Sequence, residues 1–480
     1  MIHRTLPAVL AVAVLLSGRI AAADAAADTR ALARDMFKQL IEINTADSVG
    51  SVTAASEAMA QRFRDAGFPQ SDIHLLGATD RTRNLVVRLR GTGKKKPILL
   101  IGHLDVVEAR REDWTTDPFQ LVVKDGYYYG RGTRDMKNGD AIMAATLMRM
   151  KKEGYRPDRD IILALTAGEE SGRNNGVRWL GKNQRALIDA EFVLNHDGNG
   201  VESENGKPLY VSIIATEKVY ADFQLTVTNP GGHSSLPVPD NAIYRLADGL
   251  NRLAHYEFPF ELNNVTRAYY ARVLLSATGQ RASDIKAILQ TASDPGAIAR
   301  LSRDPLDHAF THTTCVATRL EGGHANNALP QLARANVNCR ILPGHSAEET
   351  RLKVVEVLAD PQIVVRYVGE DGVILDTAES KHGMLTPVLR PDVLSALEQV
   401  AGSMWPGVPV IPAMTTGASD GVYASEAGLT TFEVNGVMID RDDQRTHGKD
   451  ERLAVESFDR AVDFYYPFLK ALIAFRGPVK

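Results

Sequence analysis

Cysteine is scarce in this 480-residue chain: only Cys315 and Cys339 occur. Two thiols cannot build a four-cysteine zinc site. None lies near the N-terminus, which excludes a lipid anchor on cysteine there. An excess of basic residues is also missing. The formal net charge is -4, without the basic balance of a typical nucleic-acid binder. Beyond the N-terminal region, no apolar run approaches the roughly 20 residues that span a bilayer as a helix. Internal repeats and low-complexity linkers are absent. So is the Gly-x-Ser-x-Gly elbow of serine hydrolases, which leaves Ser234 a weak nucleophile candidate.

What remains is ordinary globular composition, 44% hydrophobic and 24% charged. The length suits two domains better than one core. The first residues have the order of a secretory signal peptide. His3 and Arg4 precede an apolar run over 6–16, and Ala21-Ala22-Ala23 stand before Asp24. Cleavage near Ala23 predicts a soluble, periplasmic or secreted protein, with a signal peptide over 1–23 and no membrane span afterwards.

Hydrophobic patterning predicts an α/β domain, with a mixed, mostly parallel sheet flanked by helices. Buried-type strands are expected over 84–89, 98–101, 161–165 and 192–194, and helices from 29, over 54–66 and over 136–152. The pattern changes near 212. Strand 221–228, helix 241–253, strands 315–320 and 335–341, helix 347–358 and strand 363–368 have the order of a split βαβ, ferredoxin-like α+β domain. Residues 258–312 are extra to it and read as an insertion. After 383 the first pattern resumes, with a helix at 393–401, a strand at 431–434 and a helix at 455–475. The predicted organisation is a catalytic domain over 24–212 and 371–480, interrupted by a lid or dimerisation domain over 213–370. Cys315 and Cys339 fall in two strand-like segments that flank a turn, so antiparallel pairing brings them opposite each other. They are either free thiols or a disulfide, which an oxidising compartment would favour.

Five acidic or histidine clusters fall where strands should end, the place where open α/β sheets gather ligands. Gly102-His103-Leu104-Asp105 follows the second buried strand. Asp135 stands before a long helix, where it either caps that helix or bridges two metal ions held about 3.5–4 Å apart. Glu169 and Glu170 follow a very apolar strand, and adjacent carboxylates there need a compensating charge. Asn195-His196-Asp197-Gly198 and Arg445-Thr446-His447-Gly448 complete the set. Carboxylates and imidazoles together are zinc-type ligands.

In order and placement these motifs, with Trp114-Thr115-Thr116-Asp117-Pro118-Phe119, resemble the zinc metallopeptidases that include glutamate carboxypeptidase, aminoacylase-1, acetylornithine deacetylase, succinyl-diaminopimelate desuccinylase and carboxypeptidase S. The resemblance runs from about residue 28 to the C-terminus. It implies two Zn²⁺ per chain, with Co²⁺ or Mn²⁺ as alternatives. Asp135 would bridge them, His103 and Asp197 would complete one site, and Glu170 and His447 the other. Asp105 would orient His103, and Glu169 would be the general base. The resemblance also implies a homodimer in which His233 of Gly231-Gly232-His233-Ser234-Ser235 serves a partner's site. Asn327, Arg340, Gly417 and Ser419 would contact substrate, with Arg340 gripping a carboxylate. Asp197 stands where many members carry Glu, which favours a peptidase over a simple deacetylase. The implied activity is hydrolysis of short peptides or N-acyl amino acids bearing a free carboxylate. An aminopeptidase, an N-acyl amino acid deacylase and a metal-retaining binding protein are the competing readings.

Overall fold

A computed structural model describes residues 6–198, 200–369, 372–378 and 389–474, with side chains from residue 24 onward. Within it the chain forms two compact units. The first comprises Met1–Val211, Pro391–Val410 and Glu433–Lys480; the second comprises Ser212–Arg390 and Ile411–Phe432.

The centre of the first unit is set by three parallel strands. Ile98–His103 lies between Ile161–Thr166 and Val193–Asn195 and runs parallel to both. Every residue of these strands is buried. Such continuous apolar runs belong to sheets covered on both faces. Each fully buried Leu or Ile contributes about 1.5–3 kcal/mol of transfer free energy. Arg83–Leu89 and Ile73–Gly77 extend one side antiparallel. The full sheet has ten strands. Three of them, Lys207–Glu217, Val410–Thr415 and Thr431–Glu433, contain points at which the chain passes from one unit to the other. Helix Lys137–Lys152 packs against the central strands and against helices Leu6–Ile41 and Val455–Ala474. The segment expected to be a signal peptide falls partly outside the described residues, and from residue 6 it is helical and continuous with the helix expected from 29.

A small three-stranded sheet was not legible in the sequence. In it Tyr127–Tyr129 pairs with both Val122–Lys124 and Arg452–Ala454. That pairing places the 130–135 loop beside the 445–451 loop, far apart in sequence.

The second unit has a five-stranded antiparallel sheet in the order Thr314–Gly322, Leu332–Ile341, Val219–Thr228, Val364–Val368, Ile374–Leu375. Helices Ala242–Ala254 and Ala347–Leu358 pack on it. Ser346 and Glu349 form a reciprocal capping box at the second helix, and Asn241 caps the first. Cys315 and Cys339 are register partners and form a disulfide. The insertion is four helices, Asn264–Val273, Gly279–Thr291, Pro295–Leu301 and Pro305–Thr311. They have their own apolar cluster around Tyr270, Ile285 and Ile288.

Candidate active site

The parallel register explains how three separate motifs meet. His103 is the last residue of its strand and pairs with Thr166, just before Glu169 and Glu170. Ile101 pairs with Asn195, two residues before Asp197. All three strand ends therefore open onto one edge of the sheet. Gly168 turns the chain there with φ +74°, and a Cβ on it would lie 2.4 Å from the Arg173 carbonyl. Asp135 does not cap the following helix: Met136 occupies that position, without a side-chain cap. His447 sits at φ 62°, a left-handed conformation uncommon for a residue with a side chain.

The five expected ligands come together in two overlapping groups. His103, Asp135 and Asp197 form one; Asp135, Glu170 and His447 form the other. Asp135 belongs to both through different oxygens. Its Oδ1 lies 3.1 Å from His103 Nε2, and its Oδ2 lies 3.1 Å from His447 Nε2. Glu170 is 3.0 Å from His447 Nε2, and Glu169 is 4.0 Å from His103 Nε2.

The arrangement is electrostatically unbalanced. Hydrogen bonding to Asp135 and Glu170 pushes His447 up to about 10. Burial opposes the charge on His103, but Asp135, Glu169 and Asp105 outweigh it and raise that ring well above its ordinary value. Burial also works against Asp135, yet the two imidazoles hold it below the usual carboxylate range. Burial, then the neighbouring Asp135, pushes Asp197 up to about 6. His103 Nε2 and Glu170 Oε1 are buried without a well-aligned hydrogen bond. Lone pairs and carboxylates crowded in this way are compensated by cations. The donor set therefore fits a pair of divalent ions sharing Asp135.

Asp105 differs from expectation in how it acts. Its backbone carbonyl, not its carboxylate, is at hydrogen-bond distance from His103 Nδ1, 3.0 Å against 3.9 Å. The carboxylate accepts from the amides of Glu169 and Glu170 at 3.3 and 3.0 Å. It holds the glutamate turn, while the carbonyl two residues along the chain fixes the ring.

Two residues that the motifs contain but the sequence reading passed over assemble the site. Arg131 and Glu451 are both buried and pair at 2.5 Å. Glu451 also accepts from the amides of Arg134 and Asp135 at 2.7 and 3.2 Å. Arg131 donates to the carbonyls of His447 and Gly448, each at 3.2 Å, and stacks 5.0 Å over Trp114. On the other side Asn435 donates to the carbonyls of His196 and Gly198, at 3.0 and 3.1 Å.

The remaining expected residues belong to the second unit. His233 and Asn327 are in neighbouring segments: His233 pairs with Ala328, and the Ser234 amide donates to the Asn327 carbonyl at 3.1 Å. The Ser235 amide donates to His233 Nδ1 at 3.2 Å. An accepting Nδ1 puts the ring proton on Nε2, leaving an N–H to donate elsewhere. Arg340 is half-buried on the strand Leu332–Ile341, with its guanidinium 4.6 Å over the Tyr220 ring. Glu217, also missed, is buried and holds the Gly417–Ser419 turn, accepting from Ser419 N at 2.5 Å and Ser419 Oγ at 3.3 Å.

A carboxylate and imidazole cluster at the C-terminal edge of a parallel sheet, with a separate α+β unit, defines a metal-dependent hydrolase. The chain belongs to peptidase family M20/M25/M40, whose profile matches residues 99–471. It is 28% identical over 402 residues to a probable carboxypeptidase S-like 2 of Dictyostelium discoideum, covering 81% of this chain and 74% of that protein. It is 25% identical over 389 residues to the human N-fatty-acyl-amino acid synthase/hydrolase PM20D1, covering 80% of this chain and 76% of that protein. The fold matches a metallo-carboxypeptidase of the M20 family from Sulfolobus solfataricus, Sso-CP2, with a TM-score of 0.66 at 17% identity. That match covers 92% of this chain and 99% of the other.

Proposed function

We propose that this metallohydrolase cleaves the peptide or amide bond of short peptides or N-acyl amino acids that carry a free carboxylate. The observation that carries the reading is Asp135, whose two oxygens face two different histidines. His103 and Asp197 with Asp135 would hold one Zn²⁺, and Glu170 and His447 with Asp135 the other. Bound there, two divalent ions supply positive charge that acidifies water and polarises a carbonyl. Glu169 takes a proton from the attacking water and returns it to the leaving amine. Asp105 keeps Glu169 in place through its amide, and the Arg131–Glu451 pair keeps the loops of Asp135 and His447 in place. In the second unit we assign His233, Asn327, Gly417 and Ser419 to substrate contact. Arg340 is assigned to the substrate's carboxylate, which its planar fork suits.

Two further features of the reading rest on sequence, the first on the residue order of the N-terminal segment and the second on the family resemblance. The N-terminal segment serves for export to the periplasm or beyond, and the protein acts as a homodimer. A fatty-acyl amino acid hydrolase is the alternative within the same chemistry, favoured by the similarity to PM20D1.

The test is a panel of dipeptides and N-acyl amino acids, with short and long acyl chains and with free and amidated carboxyl ends. Wild type and Glu169→Ala are compared at known metal content. Turnover of free acids only, about two metals per chain and loss of turnover in the variant are expected. Equal turnover of amidated substrates would remove the role of Arg340, and activity surviving Glu169→Ala would remove that of Glu169.

A further inference from the structure

A second group of metal-type ligands lies at the base of the insertion. Glu257 immediately precedes it, and His308 and His312 stand at its end. One ligand atom from each of the three lies within 4.8 Å of the others. The two histidines are four residues apart, so the end of helix Pro305–Thr311 sets them on the same side. Their rings face each other with centroids 4.5 Å apart.

An ion pair accounts for part of this group, since His308 Nε2 is 3.1 Å from Glu257 Oε2. It does not account for His312, which is 4% exposed. The Thr311 hydroxyl donates to the Asp307 carbonyl at 2.7 Å, so towards His312 Nδ1, 2.9 Å away, it can only accept. The His308 carbonyl, 3.2 Å from the same nitrogen, is also an acceptor. Two acceptors at Nδ1 place the proton there and leave Nε2 as a bare lone pair. Among the described residues that nitrogen has no donor. A histidine whose second nitrogen is fixed by a carbonyl, with its first left as a lone pair, is the arrangement found behind metal ligands.

We propose that Glu257, His308 and His312 bind one divalent transition-metal ion of the zinc type, separate from the ions of the catalytic group. Two imidazoles and one carboxylate suit Zn²⁺ and its borderline neighbours, with a fourth position open to water. The ion would tie together the two ends of the insertion. The Glu261 amide already donates to the Thr311 carbonyl there at 2.8 Å. The site closes a loop of chain rather than performing chemistry, and its contribution is to the order of the four inserted helices.

The test uses the full chain, stripped with a chelator, reloaded with Zn²⁺ and freed of excess. Wild type, Glu257→Gln and His308→Ala are compared by elemental analysis, so that the occupancy of the catalytic group cancels in the difference. Both variants should hold about one ion fewer per chain than wild type, with a lower melting temperature and unchanged hydrolysis. Cobalt-loaded wild type should show visible absorption that part-disappears in His308→Ala. Equal metal content in all three proteins, or identical cobalt spectra, would overturn the site. Loss of an ion together with loss of hydrolysis would overturn its separateness from catalysis.

Discussion

Arg131 and Glu451 are 320 positions apart, yet they are the groups that join the loop of Asp135 to the loop of His447. Removing one member of a buried pair strands the other, at a cost of about 3–5 kcal/mol, whereas replacing both by apolar residues is often neutral. Glu451→Gln should therefore lower the stability in urea by that amount and weaken metal binding. The double variant Arg131→Met with Glu451→Met should recover only part of the stability, because the Arg134 and Asp135 amides and the His447 and Gly448 carbonyls lose their partners, and none of the metal affinity. A second residue-scale expectation concerns Gly102, one position before His103. A Cβ there would lie 2.4 Å from Asp140 Oδ1 and 2.8 Å from two methionine methyls. Gly102→Ala should cost about 1–3 kcal/mol by overpacking, read from thermal denaturation. The metal-type residues were legible because each follows a recognisable strand or precedes a helix. The Arg131–Glu451 pair was not, because in sequence each is only a charge beside a glycine or a basic residue. Asp105 shows a finer loss: its presence was readable, but not which of its oxygens would face the ring.

At the scale of elements, long periodic segments were legible to within a few residues. Helix Ala347–Leu358 falls where its apolar spacing placed it, and Val219–Thr228 begins two residues earlier than read. Three-residue strands such as Tyr127–Tyr129 and Arg452–Ala454 carry too little pattern to be seen. They form because a partner from elsewhere in the chain supplies their hydrogen bonds. In the insertion four helices occur; Asp294-Pro295 and Asp304-Pro305 start two of them, with Asp as cap and Pro in the first turn. The strand pairing that sets Cys315 opposite Cys339 was readable, but whether the two thiols join was not; in the structure they form a disulfide. It closes 24 residues between two neighbouring strands of the second unit. Cys315→Ala with Cys339→Ala should destabilise that unit by about 3 kcal/mol, from the loop entropy restored to the unfolded chain. The expected signature is a lower urea midpoint for probes in the second unit, with metal content unchanged.

For the whole molecule, the sequence conveyed an α/β core interrupted by an α+β unit. It did not convey that Ile411–Phe432 would group with the second unit, since that depends on long-range strand partners. Metal is expected to act on the molecule as a whole. Ions that bind only the folded state add RT ln(1 + [L]/Kd), about 2.7 kcal/mol at a hundredfold excess over Kd. Chelation should lower the melting temperature and abolish hydrolysis, and Zn²⁺ should restore both. A melting temperature indifferent to chelator would mean that the acidic cluster holds no ion under those conditions.

The Arg131–Glu451 pair fastens two loops 320 positions apart, one at the His447 carbonyl and the other at the Asp135 amide. Because Asp135 belongs to both ligand groups, a change at either member of the pair would be felt in both at once, although neither residue is itself a ligand. The site's most sensitive positions therefore include residues that a list of its ligands leaves out.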